Sequence, residues 1–187
     1  MSGVVNAQSP HIILSEFFVY QDENLVRLQW TIKEGRTCND IRIERAGNAK
    51  NFSYLGLISG VCGAPDQSVT YRYVDSIPLQ NQVNYYRLEM GSQGYSEPVS
   101  IETRMYNNKE YIIKGNPSIS GIEILFKNEK AQMFEFRVFD MRGHLVVEES
   151  TSSDRIKLPT NDLRSGMYIF RGIGASGSKI TGKFAVM

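Results

Sequence analysis

From Val26 to Ile32 every second residue is apolar: Val26, Leu28, Trp30 and Ile32 share one phase, and Arg27, Gln29, Thr31 and Lys33 the other. A period of two marks a half-buried strand, because successive side chains leave opposite faces. The signature recurs in short runs along the first half. His11 to Leu14 and Glu16 to Tyr20 predict a first edge strand, and Cys38 to Arg45 a strand with Ile41 and Ile43 inward. Phe52 to Ile58, Val69 to Val74, Val83 to Met90 (with Tyr86, Leu88 and Met90 on one face) and Ser96 to Arg104 follow. Between them lie turn clusters: Asp22 to Asn24, Ala46 to Asn51 and a loop over Gly60 to Ser68. Seven or eight short strands at regular spacing, without an apolar stripe at helical period, predict a β-sandwich of the immunoglobulin or fibronectin type III kind. Trp30 is expected as its core anchor.

The second half repeats this logic after a polar, turn-rich linker at residues 105–110. Tyr111 to Lys114 leads to Gly115, Asn116 and Pro117. Ile122, Ile124 and Phe126 alternate with Glu123, and Phe134, Phe136 and Val138 alternate with Glu135 and Arg137. The run stops at Asp140 to Gly143 and resumes at Leu145 to Val147. That is a hairpin: an Asp that can bond its own turn backbone, and a Gly for a positive φ. Arg155 to Leu158, Met167 to Arg171 and Lys179 to Met187 complete a smaller sandwich, with a turn expected over Gly172 to Gly177. The organisation is therefore residues 1–10 as a terminus, 11–104 as one sandwich and 111–187 as another, an all-β chain throughout.

Composition narrows the classes. The chain has 187 residues, with 21 Lys plus Arg against 20 Asp plus Glu. So balanced a charge projects no field towards a polyanion, and nucleic acid is not expected as a partner. With 41% hydrophobic and 22% charged residues, general disorder is excluded. No apolar run is long enough to span a membrane as a helix.

There are two cysteines, Cys38 and Cys62. Two cannot make a structural zinc site alone, and their spacing is not that of a redox pair. In an oxidising compartment they fit a disulfide from the start of the third strand to the loop after the fourth; two free structural thiols are the competing reading. Closing a loop of about 25 residues contributes roughly 3.5 kcal/mol in the chain-entropy model. Ser2 to Gln8 is small and apolar, like the tail of a signal peptide without its basic start; a disordered terminus is the alternative.

Candidate chemistry is sparse. His11 and His144 are the two histidines, and neither has ligands at metal-site spacing. No nucleophile elbow or phosphate-binding glycine loop occurs. Glu148, Glu149 and Asp154 have the residue types of paired glycosidase acids, but they read as a charged hairpin rim. Asp22, Glu23 and Asp75 are too scattered to predict calcium. Tyr71, Tyr73 and Tyr85 could stack on sugars, or fill the sandwich and cover its edge. No catalytic residue, metal or cofactor is expected.

The ordered set Asn116 and Pro117, Asp140 to Gly143, Leu163 to Tyr168 with Gly166, and Lys183 a few residues before the end resembles the type A C-terminal sorting domain of the Bacteroidota type IX secretion system. Each motif is a turn beside an apolar strand; their order and spacing make the likeness specific, over residues 111–187. The first motif has Gly115 where such domains usually carry a proline, and the last residues, Phe184 to Met187, are not basic. Cys38, Ile43 to Arg45, Gly56 to Ile58, Gly60 to Gly63, Tyr71 to Asp75 and Tyr85 to Leu88 are similar to the fibronectin-like modules often placed ahead of that domain.

The resemblance implies an exported protein, at the cell surface, in the outer membrane or secreted. Its sorting residues would be Asn116, Pro117, Asp140, Gly143, Leu163, Gly166, Tyr168 and Lys183. It implies as partners the type IX translocon and its outer-membrane shuttle, with a cell-surface transpeptidase and lipopolysaccharide where the domain is removed and the rest anchored. The first sandwich would then be a binding or adhesion module rather than an enzyme. The alternative is a small accessory subunit of the secretion or gliding machinery that keeps its sorting domain.

Overall fold

The computed structural model describes residues 11–34, 38–62, 64–107 and 109–187, apart from the side chains of Cys38, Asn39 and Cys62. The terminus read as a signal remnant and the side chains read as a disulfide lie outside the described residues. The chain divides into two compact units, Met1–Met105 and Tyr106–Met187.

Among the described residues unit 1 contains seven strands: β1 (Leu14–Asp22), β2 (Leu25–Ile32), β3 (Cys38–Ala46), β4 (Ser53–Cys62), β5 (Val69–Asp75), β6 (Val83–Glu89) and β7 (Val99–Glu102). They form a three-stranded sheet in the order β1-β2-β5 and a four-stranded sheet in the order β4-β3-β6-β7, with antiparallel pairings. The alternating residues meet between the sheets. Val26, Leu28, Trp30 and Ile32 of β2 pack in one cluster with Ile41, Ile43, Tyr86 and Leu88. Asp75, Asn84, Ser96 and Thr103 are the buried polar residues of this unit among those described. The Asp75 carboxylate is 2% exposed and accepts from Arg45 Nη1 at 2.7 Å and from the Tyr86 hydroxyl at 2.8 Å. Burial, then the Asp75 charge, pushes the Tyr86 hydroxyl well above the usual phenol range.

Unit 2 contains β8 (Tyr111–Lys114), β9 (Gly121–Phe126), β10 (Phe134–Phe139), β11 (Leu145–Thr151), β12 (Arg155–Pro159), β13 (Gly166–Gly174) and β14 (Lys179–Val186). Again a three-stranded sheet, β12-β9-β8, accompanies a four-stranded one, β11-β10-β13-β14. The core is aromatic: Phe126, Phe134, Phe136, Phe170 and Phe184 are buried. Phe126 lies 4.8 Å from Phe134 and 5.2 Å from Phe136, ring centre to ring centre.

Three local expectations change. β4 runs through the glycine at position 60 to Cys62, so Cys62 ends a strand instead of lying in a loop. β13 runs through Gly172 to Gly174, where a turn was expected. The reason is packing: a Cβ on Gly172 would press on Phe136, and one on Gly174 on Phe134. These glycines are strand positions roofed by aromatic rings, a use that turn propensity does not anticipate. The stretch from Ser96 to Arg104 is strand only over Val99–Glu102, and a short 3-10 turn occupies Gly91–Gln93.

Candidate recognition surface

The motif segments meet at one end of unit 2. β14 ends beside the segment that follows β8. The Ala185 amide donates to Asn116 Oδ1 at 3.0 Å, although the two residues are 69 apart in sequence. The Ser118 amide donates to the Ala185 carbonyl at 2.7 Å, and the Met187 amide to the Ser118 carbonyl at 3.0 Å. Asn116 and Ser118 thus satisfy the outer edge of the last strand, where backbone groups would otherwise be open. The Asn116–Pro117 peptide is cis.

The loop before β13 docks at the same end. Gly166 faces Val186 across the β13–β14 ladder. Tyr168 is buried, stacks on Phe184 at 5.7 Å, and donates from its hydroxyl to the Arg164 carbonyl at 2.8 Å. Leu163 packs against the core. The β10–β11 turn completes the corner, since Phe139, the residue before it, faces Ile169 of β13. Asp140 Oδ1 accepts from the amides of Arg142 at 2.8 Å and His144 at 2.9 Å, and Gly143 adopts φ 86°, which a side chain would oppose. The backbone amide of His144 chiefly holds the Asp140 carboxyl below its ordinary range.

The residues of the resemblance therefore do different things. Leu163 and Tyr168 are core-side, Asn116 closes an edge, Asp140 and Gly143 build an exposed turn, and Lys183 is exposed on the outer face opposite Ile169. Beside them lie side chains that the sequence reading did not single out. Phe139, Leu145, Met167 and Ile169 belong to the outward phase of their strands, yet they are apolar. Two signals were available. Phe139 breaks the polar phase set by Glu135 and Arg137, and Met167 to Phe170 is apolar on both phases.

Several of the other candidates are engaged by neighbours. His144 Nδ1 sits 3.1 Å from Asp140 Oδ2, and His11 Nε2 lies 2.6 Å from the Gln93 carbonyl. Glu148 accepts from Arg137 Nε at 2.6 Å. Asp22 accepts from Arg27 at 2.7 Å, while Asp75 serves Arg45 and Tyr86. Tyr71 and Tyr73 pack against the core of unit 1, and Tyr73 donates to the Leu55 carbonyl at 3.1 Å. Among the described residues no group of three or more His, Cys, Asp or Glu is placed to hold a metal, and no helix is long and apolar enough to cross a membrane.

The fold defines an all-β chain of two immunoglobulin-like or fibronectin type III-like sandwiches in tandem. Residues 115–187 match the family described as the secretion system C-terminal sorting domain, the type IX family that the motifs resemble. Among solved structures the chain is similar to PorZ, a surface component of the type IX secretion system of Porphyromonas gingivalis, at 16% identity and a TM-score of 0.36, covering 55% of this chain and 15% of PorZ. It is also similar to latent PorU of Porphyromonas gingivalis at 14% identity and a TM-score of 0.34, covering 96% of this chain and 20% of PorU. A two-domain fibronectin type III segment of chicken tenascin aligns at 13% identity and a TM-score of 0.33, covering 92% of this chain and 98% of the segment. The chain thus spans a fifth or less of PorZ and PorU. No curated protein matches it.

Proposed function

We propose that this is an exported, non-enzymatic surface protein. Its C-terminal unit is the address read by the type IX translocon and its outer-membrane shuttle, and its N-terminal sandwich is a binding or adhesion module. The observation that carries this reading is the convergence of the motif segments on one corner of the matched domain. Segments that sequence scatters from Asn116 to Lys183 lie at the same end of one sheet, which supports a label read in the folded state. In this reading Asp140 and Gly143 fix the exposed turn, and Asn116, Pro117, Leu163, Gly166 and Tyr168 hold the strand ends against each other. Lys183 offers a charge.

A Cys38–Cys62 disulfide belongs with export. The two residues are direct partners in the β3–β4 ladder. Opposed residues of an antiparallel pair stand about 4.5–5.5 Å apart at Cα, inside the span of a disulfide. The mass of the secreted protein before and after reduction tests it: alkylation of both cysteines without reduction would rule it out.

The export experiment places a reporter behind a signal peptide and ahead of the full chain, in a bacterium with a type IX system. The reporter is expected on the cell surface or in the medium, and in the periplasm when residues 111–187 are removed. A reporter that stays periplasmic with the full chain, while an established sorting domain exports it, overturns the proposal. The mass of the surface form then separates two fates. Loss of the C-terminal unit fits cargo attached to lipopolysaccharide by a transpeptidase. An intact chain fits an accessory subunit of the machinery.

A further inference from the structure

The outer face of the β11-β10-β13-β14 sheet can be read in rows, because directly paired residues share a face. One row runs Glu148, Arg137, Arg171, Thr181, and another Ser150, Glu135, Ile173, Lys179. These are polar apart from Ile173. The row nearest the motif corner runs Leu145, Phe139, Ile169, Lys183. Beyond it come Met167 and its partner Ala185, and the turn carries Met141. Leu145 is 50% exposed, Ile169 39%, Met167 42% and Met141 69%. Four large apolar side chains in water on one corner are more than scattered surface residues explain.

The charges around this row differ in kind. Exposed Arg142, Arg164 and Lys183 flank it. Of the carboxylates around it, Glu148 and Glu135 are held by Arg137 at 2.6 and 3.5 Å and Asp140 by its own turn, while Asp162 is exposed in the loop that carries Arg164. The edge of β11 is an unfavourable place for strand addition, since the ladder is bulged there and Glu149 lies on the core-facing phase opposite Phe136. Binding therefore falls to the face rather than the edge. The apolar row is one residue wide and gives way to the ion-paired row Glu148, Arg137, Arg171, Thr181, so it fits a bounded depression in a protein better than a continuous lipid surface.

We propose that the row Leu145, Phe139, Ile169, with Met167 and Lys183, is the surface by which the C-terminal unit docks onto an outer-membrane protein presenting an apolar depression rimmed by carboxylates. This rests on the sorting reading and names the face and the partner chemistry. The apolar side chains supply contact area, and the cations orient the approach. Met167 and Met141 suit it because thioether chains adapt to an irregular surface.

The test uses the labelled full chain and three probes: outer-membrane vesicles from a type IX-competent bacterium, the same vesicles shaved with protease, and protein-free vesicles of the extracted lipid. The wild type is expected to bind the first alone. Ile169→Asp and Leu145→Asp are expected to weaken binding by about tenfold or more, and Lys183→Glu by several-fold, less so at high salt. Val74→Asp, at a comparably exposed apolar position of unit 1 (40%), is the unaffected control. Ile169→Thr, which suits a strand, guards against misfolding, and circular dichroism checks each variant. Equal binding to protein-free lipid means a membrane surface and overturns the proposal, as does undiminished binding of the Asp variants or no wild-type binding. The export assay separates the two readings. If the full chain is not exported, the sorting reading fails; if the chain and Ile169→Asp are exported equally, this inference alone fails.

Discussion

The two units are built alike at their seams and differently on their outer faces. In unit 1, Tyr73 on the edge strand β5 reaches over Gly56 on β4, the edge of the four-stranded sheet; a Cβ on Gly56 would collide with the Tyr73 hydroxyl. In unit 2, Tyr111 on the edge strand β8 reaches over Gly182 on the edge strand β14 and meets Phe170 edge-on at 5.1 Å; a Cβ on Gly182 would collide with both rings. Each sandwich has the same problem, an open flank between two sheets. Each closes it with a long aromatic over a residue that has no side chain.

The outer faces of the four-stranded sheets diverge. On unit 1 the face is knitted to itself. Arg87 donates to Glu44 at 2.7 Å and lies between Phe52 and Tyr95, at 4.2 and 4.0 Å from their ring centres. Arg42 pairs with Glu89 at 3.4 Å and lies 5.3 Å from the Tyr54 ring centre. Such a surface pairs its charges and lays guanidinium planes on its aromatics, although Tyr54, Tyr95 and Leu57 remain 58%, 49% and 44% exposed. On unit 2 the corresponding face leaves an apolar row uncovered next to Lys183. A common architecture thus carries one face whose aromatics are contacted by arginines and one whose apolar row has no such cover. The difference lies in outward-phase residues that the fold itself does not need.

Variants can break or sharpen this comparison. The largest effect is expected from Asp75→Ala, which leaves the Tyr86 hydroxyl without its acceptor and Arg45 with the Ile77 carbonyl alone; about 3 kcal/mol should be lost from unit 1. Trp30 is the one tryptophan in the chain and lies in unit 1. Its fluorescence during urea unfolding reads that unit, and the circular dichroism transition of the C-terminal unit should not move. Next come Gly56→Val and Gly182→Val, each expected to cost about 1–3 kcal/mol by overpacking the seam. Thermal unfolding measures both, and a cost in one unit without the other would end the parallel.

The Asp140 turn should show a smaller, pH-dependent effect. Its carboxyl titrates lower folded than unfolded. Its contribution is therefore complete above the unfolded value, about pH 4, and is lost as pH falls through the folded midpoint. NMR titration should place that midpoint below the ordinary Asp value. His144→Gln should raise it only slightly, because the backbone amide survives. The smallest effect is Ile169→Thr, expected within about 0.5 kcal/mol of wild type by urea unfolding. A large loss there would mean that the apolar row is needed for stability, which would remove the contrast between the two faces.

Much of the fold is legible in local order. The inward phase of β2, the burial of Ile41, Ile43, Tyr86, Leu88 and Phe136, and the Asp140 to Gly143 hairpin follow from alternation and turn chemistry, which depend on neighbours one to four residues away. The roofed glycines, Gly172 and Gly174, were illegible because the rings over them come from another strand. So were the two seams, since nothing near Gly56 or Gly182 in sequence announces a tyrosine.

The recognition corner divides the same way. The sequence by itself determined that Asn116, Asp140, Gly143, Gly166, Tyr168 and Lys183 occur in a family's order, and that each lies beside a strand. Only the tertiary structure decided that Asn116 meets Ala185, that Gly166 faces Val186, and that Leu145, Phe139, Ile169 and Lys183 form one row. Period two tells which face a residue takes, whereas its neighbour on that face is set by strand order and register. Those come from the closure of the whole sandwich.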